Sequence, residues 1–162
     1  MALIPFVSSL QPSARAKSLA FEPIPIADVG SGEFKFADSG PRGEVIVVYL
    51  SPEMKTGLRQ MEQAYDVLPA FDSADIPTMQ LYFRGSTKLG CYVKHAPPGF
   101  FGDDWQGGWW DYCHWGAWDY AGRFVPEVNG YSDQRLENLI RPPSVEWQDE
   151  VAILRWYDPD IR

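Results

Sequence analysis

The chain has 162 residues, of which 45% are hydrophobic and 22% charged, an ordinary domain's worth of average globular composition that excludes wholesale disorder, collagen and coiled coil. A formal net charge of −8 excludes a nucleic-acid partner, because phosphate neutralisation needs a basic face. No run of about 18 apolar residues occurs, and Met1 to Val7 has no basic segment before an apolar one; the sequence encodes no membrane span and reads as cytoplasmic, or periplasmic if a leader was removed.

Seven Trp, eight Tyr and nine Phe stand beside 14 Pro and 14 Gly, so loops rather than long helices carry much of the chain. Residues 1–20 read as an arm or hinge, with a short helix-compatible patch from Ser13 to Ala20. Phe21 to Ile26 and Gly43 to Leu50 are β-rich runs. Between them, turn clusters at 28–32 and 38–43 bracket a short strand from Glu33 to Ala37. Ser51-Pro-Glu53 offers an N-cap, a first-turn proline and an acidic residue. Met54, Leu58, Met61 and Tyr65 follow at helical spacing, which predicts one amphipathic helix over 52–66 with both methionines as core packing. Thr78 to Arg84 alternates as a strand, and 95–109 is a long Gly/Pro/Asp loop in which His95 is expected to be exposed. Gly122 to Val125 and Val145 to Trp156 read as later strands, joined by a turn-rich stretch ending in Pro142-Pro143. Short strands at regular spacing with one helix predict a small antiparallel sandwich or barrel. Cys91 and Cys113 could form one disulfide or remain two thiols.

Two stretches resemble a known family. Ser86-Thr-Lys-Leu-Gly-Cys91 and Asp104-Trp-Gln-Gly-Gly-Trp-Trp-Asp-Tyr-Cys-His-Trp-Gly-Ala-Trp-Asp-Tyr-Ala-Gly-Arg123 are similar to the two cluster-binding loops of the Rieske iron–sulfur subunit of ubiquinol–cytochrome c reductase. Those loops run Cys-Thr-His-Leu-Gly-Cys and Gly-Gly-(aromatic pair)-Cys-Pro-Cys-His-Gly-Ser, with Asp-x-x-Gly-Arg shortly after. Pro5-Phe-Val-Ser-Ser with Pro12-Ser-Ala resembles the hinge of proteobacterial versions, and Asn138-Leu-Ile-Arg-Pro-Pro143 resembles the proline-loop exit. The resemblance implies a mostly β chain: a Rieske-like antiparallel β-sandwich with one helix and a small loop-rich former cluster-binding subdomain. The arm would be 1–20, the Rieske-like domain 21–162, and its former cluster-binding part about 84–143. It also implies that Cys91 and Cys113 are the family's non-ligand disulfide pair, a bridge that would instead be reduced in an unexported chain.

At the family's ligand positions the chain departs. A Rieske cluster takes two thiolates on one iron and two imidazoles on the other. Ser86, Lys88 and Asp111 stand for the first Cys, the first His and the second Cys, and His114 alone remains. Serine and aspartate are poor, hard substitutes for thiolate, and a protonated lysine repels iron. No metal and no cofactor are therefore expected.

Aromatic residues crowd the same region. Phe100, Phe101, Trp105, Trp109, Trp110, Tyr112, Trp115, Trp118 and Tyr120 fall in one short stretch, and Tyr112 and Trp115 stand where the family has Pro and Gly. Trp109, Trp110 and Trp118 occupy positions where relatives already carry aromatics, which favours packing. Tyr112 and Trp115, at loop tips, are better candidates for a binding wall, with Trp105, Trp110 and Trp118 also counted toward a substrate-binding set. Lys88, Asp111 and His114 should converge if both loops keep the family's arrangement. They then form a salt bridge with a hydrogen-bonded histidine filling the hole, an acid/base group joined by Tyr112, or, least expected, a mononuclear metal site. Two functions follow. One is a non-redox protein that binds a small apolar, unsaturated molecule and could cyclise, isomerise or join it by cycloaddition, chiefly by holding its conformation. The other is a pseudo-subunit that binds a protein partner without electron transfer.

Overall fold

The computed structural model describes residues 21–40, 43–65, 67, 76–85, 90–126, 128 and 136–155. The arm at 1–20 with its helix-compatible patch, Ser86, Lys88 and Trp156 lie outside the described residues. The order is β1 (Phe21–Pro25), β2 (Phe34–Asp38), β3 (Glu44–Tyr49), α1 (Pro52–Ala64), β4 (Met79–Phe83), β5 (Lys94–Ala96), β6 (Gly108–Trp110), β7 (Ala117–Asp119), β8 (Ser144–Trp147) and β9 (Val151–Arg155). The strands form three three-stranded sheets, ordered β2-β3-β4, β5-β6-β7 and β1-β9-β8. Every pairing is antiparallel. The chain is thus mostly β with one described helix, as a Rieske-like domain requires. No helix among the described residues is long and apolar enough to cross a membrane.

The chain divides into two compact units, one of residues 28–141 and one of residues 1–27 with 142–162. The smaller unit holds the β1-β9-β8 sheet. Pro23 and Pro25 cannot donate to a ladder, so β1 tolerates them only as an edge strand, which is its place. The strand stretch expected over 145–156 is a hairpin as far as it is described, broken where Gln148 and Val151 exchange backbone hydrogen bonds around Asp149 and Glu150. Two acidic residues there favour solvent and a turn over a continued strand.

In the larger unit, β3 is the centre of its sheet, and Val45, Ile46, Val47 and Val48 are all fully buried. An unbroken branched run is what a strand covered on both faces needs. α1 starts where the sequence places it: Ser51 Oγ accepts from Met54 N–H at 3.2 Å, Pro52 opens the first turn and Glu53 sits at the positive end. Its apolar stripe splits between two clusters. Leu58 joins Ile46, Val48, Tyr82, Trp109 and Trp118, while Met61 joins Ala96, Trp105, Ala117 and Val125.

Within the β5-β6-β7 sheet, β5 and β6 fall at the two ends of the stretch expected as one long loop over 95–109, and β7 falls where no strand is expected. The sheet's strands are three residues each, too short for a period-2 pattern to show. Phe124, in the stretch predicted as a strand over 122–125, contributes only an isolated bridge to Trp118. Gly108 makes the sheet possible. A Cβ on it would lie 2.1 Å from the Trp118 carbonyl oxygen, so only glycine lets β6 approach β7 this closely.

Candidate functional site

The six-residue connection Asp111 to Gly116 joins β6 to β7 and carries most of the predicted site. Asp111 N–H donates to the Gly116 carbonyl at 3.0 Å, which closes the loop at its base. The Asp111 carboxylate, fully buried, turns back over the loop: Oδ1 accepts from His114 N–H at 2.6 Å, and Oδ2 lies 3.4 Å from His114 Nδ1. That is an aspartate holding its own turn, the local hydrogen bonding that makes this residue type favourable in turns. Cys113, between them, is bonded to Cys91, with Cα atoms 6.5 Å apart. The expected pair is therefore a disulfide, and it ties this loop to the segment entering β5.

Asp111 and His114 converge as anticipated; Lys88, their third partner, lies outside the described residues. Of the readings open for this trio, the visible half is a satisfied carboxylate–imidazole pair. Both carboxylate oxygens serve His114, whose side chain is only 15% exposed. The cluster implied by the resemblance fails the test of donor chemistry here. The described ligand positions offer one imidazole and one hard carboxylate already spent on its own loop, and the residues present do not fit a two-iron cluster.

The sequence offers four indoles, Trp105, Trp110, Trp115 and Trp118, for a binding wall, and the structure separates them. Trp105 is fully buried: its indole N–H donates to the Ala96 carbonyl at 3.2 Å and its ring meets Phe101 edge to face at 5.0 Å. Trp118 is likewise buried, donating to the Glu137 carbonyl at 2.8 Å. Both are corrected from wall to core, because an indole whose faces are packed and whose N–H is spent presents nothing to a ligand. Trp109, expected as packing, is buried with rings of Phe34, Phe36 and Tyr120 around it. Trp110 is half-buried and stands at the margin of the Trp105 cluster.

Outside that margin the aromatic residues reach solvent. Tyr112 is 56% exposed and Trp115 53%, as loop-tip residues should be. Trp115 lies 6.2 Å from Trp110 between ring centroids, and Trp110 lies 5.4 Å from Phe100, itself 47% exposed. Phe100, Trp110 and Trp115 so form a contiguous ledge. Its position is fixed from below: the 97–107 loop folds through backbone bonds from Gly99 to Trp105 and from Trp105 to Gly102, anchored by the Trp105 indole. Lys94, exposed on β5 and in register with Trp110, sets its ammonium 4.8 Å above the Tyr112 ring.

Trp115 has a backbone φ of +56°, the only described non-glycine residue in the left-handed region. The resemblance places glycine there, and an indole in that conformation carries a cost that glycine avoids, about 1–2 kcal/mol for an L-residue. The fold keeps the turn and bears the ring.

His95 is the clearest correction. It lies in β5, not in an exposed loop, packed against Phe34 at 4.6 Å and bonded through Nε2 to the Tyr120 hydroxyl at 2.8 Å. Burial holds its pKa below the ordinary histidine value and pushes the Tyr120 hydroxyl up to about 12. The Asp-x-x-Gly-Arg motif also has a structural task that its pattern does not disclose. Asp119 Oδ1 accepts from Ala121 N–H at 2.9 Å and Arg123 N–H at 3.0 Å, while Oδ2 receives Arg123 Nε at 2.7 Å. The same guanidinium reaches Glu62 at 2.7 Å and so locks β7 to α1. Phe100 and Lys94 are the residues sequence reasoning passed over as site members; only the fold of the 97–107 loop and the β5–β6 register bring them to Trp110.

No family model matches the chain. It is similar to the ubiquinol–cytochrome c reductase iron–sulfur subunit of Allochromatium vinosum, with 29% identity over 173 aligned positions, covering 94% of this chain and 78% of that relative. The likeness expected from the loops thus extends along nearly the whole chain, and the β-rich fold agrees with it.

Proposed function

We propose that the chain is a cluster-less, Rieske-like protein whose former cluster loops present an aromatic binding surface for a small, largely apolar, unsaturated molecule. One observation carries the reading: where the family's ligands are replaced, half-exposed rings of Phe100, Trp110 and Trp115 stand together, and one of them occupies a left-handed backbone position costly for any residue but glycine. Costly conformations that persist at the surface gather at functional sites. Asp111 and His114 act as the turn's lock, so the chemistry such a surface supports is conformational. Rings that hold a flexible polyene or an enone folded can promote cyclisation, isomerisation or cycloaddition by orientation alone, a source of several kcal/mol when reacting atoms are brought together. Tyr112, exposed two residues beyond Trp110, supplies a hydroxyl that can polarise a carbonyl.

A second reading has its own support. The relative is named as a subunit of ubiquinol–cytochrome c reductase, and exposed aromatic residues equally suit a protein partner. The two part in one experiment. Protein purified without oxygen from its native host is analysed for iron, sulfide and visible absorbance, then by native mass spectrometry. Colourless protein carrying a stoichiometric small organic molecule supports the first reading, and co-purification with membrane-complex subunits supports the second. About two iron and two sulfide per chain with Rieske-type absorbance would overturn both.

A further inference from the structure

The ledge has a polar end. Lys94 is the cation nearest to it by register, paired across strands with Trp110, and in an antiparallel ladder directly opposed side chains share one face. In a chain with 22 acidic and 14 basic residues, carboxylates are plentiful, and other described cations take them: Lys35 with Asp28, Arg84 with Glu44, Arg123 with Glu62 and Asp119. Lys94 takes none among the described residues. Its ammonium rests over the Tyr112 ring instead, a contact that positions a cation without neutralising it.

Building on the aromatic ledge proposed above, we infer that its ligand is a flat, unsaturated or aromatic anion, whose ring or polyene lies on Phe100, Trp110 and Trp115 and whose carboxylate meets Lys94. The apolar rings supply contact area, and the ammonium supplies both polarity and direction. A flat molecule with one charged end can lie on the ledge in only one sense, which is what a site acting by orientation requires. Charge also discriminates: the acidic surface repels anions in general, so an anion that binds does so because Lys94 offsets that field locally.

The test uses a matched pair of probes, 2-naphthoate and 2-naphthalenemethanol, titrated into the full chain and followed by ligand-observed nuclear magnetic resonance at low and at 0.5 M salt. The naphthoate should bind roughly fivefold more tightly at low salt, the size of an exposed charge contact, and the preference should shrink at high salt. Lys94→Gln should erase the preference and leave the alcohol's affinity unchanged. Trp115→Gly should weaken both probes. Equal binding of the two probes, or a preference that survives in Lys94→Gln, overturns the inference while leaving the ledge. Failure of both probes to bind at millimolar concentration overturns the ledge as well. Circular dichroism of both variants confirms that each is folded before binding is compared.

Discussion

Replacing Trp115 with glycine separates a ring kept for binding from a ring kept for packing. Trp115 sits at φ +56° and is 53% exposed. Moving to glycine removes a left-handed penalty of about 1–2 kcal/mol. Against this stand the added chain entropy of glycine, about 0.5–1 kcal/mol, and the loss of the ring's contacts, among which the tilted one with Trp110 at 6.2 Å counts for about 0.5 kcal/mol as an exposed pair. These nearly cancel, so Trp115→Gly should fall within about 1 kcal/mol of the parent, a change in melting temperature of no more than about 4 °C. Trp115→Ala keeps the backbone penalty and should melt below the glycine variant by about 1 kcal/mol. Trp105→Ala, at a fully buried indole, should cost about 3–5 kcal/mol. Thermal melts by calorimetry at neutral pH read all three. A Trp115→Gly variant destabilised as severely as Trp105→Ala would show that the indole is part of the core and would refute the reasoning.

The remaining expectations concern the loop's fastenings and the half-buried histidine. Cys91 and Cys113 are 22 residues apart, so Cys113→Ser should cost about 3 kcal/mol on the loop-entropy scale; thiol titration of unreduced, unfolded protein should find no free thiol. Asp111→Ala leaves the part-buried His114 N–H without its carboxylate acceptor and should destabilise by about 1–3 kcal/mol, with Asp111→Asn recovering part of it; equal stability of Asp111→Ala and the parent would remove the carboxylate from its role. Because burial depresses His95 in the folded chain, the unfolded chain protonates first on acidification. Its contribution to stability is whole above the ordinary histidine pKa and is lost as pH falls through that value toward the folded one. Melting temperature should therefore drop between about pH 7 and pH 5, more steeply in the parent than in His95→Gln; identical slopes would place the titration elsewhere.

The sequence by itself determined those features whose signal is local. Ser51-Pro52-Glu53 with Leu58 and Met61 at helical spacing set α1, because capping and one apolar stripe suffice for a helix. The branched run Val45 to Val48 set the central strand, while the Rieske-like fold and the Cys91–Cys113 pair were implied by the resemblance of the colinear loop motifs, the two cysteines by themselves leaving a disulfide or two thiols open. Tertiary structure decided the rest. β5, β6 and β7 are three residues each, below the length at which alternation can be read, so His95 passed for a loop residue until Tyr120 and Phe34 enclosed it. Composition showed that aromatic residues crowd one stretch, but burial divided them: Trp105 and Trp118 went to the core, and Phe100, Trp110 and Trp115 to the ledge, because what lies on a ring's faces is settled by chain segments far away in sequence. Lys94 is unremarkable as one lysine among 14 basic residues. Its meaning comes from a strand register that sets it opposite Trp110 and from a loop that brings Tyr112 beneath it, and both are products of long-range pairing that no window of sequence contains.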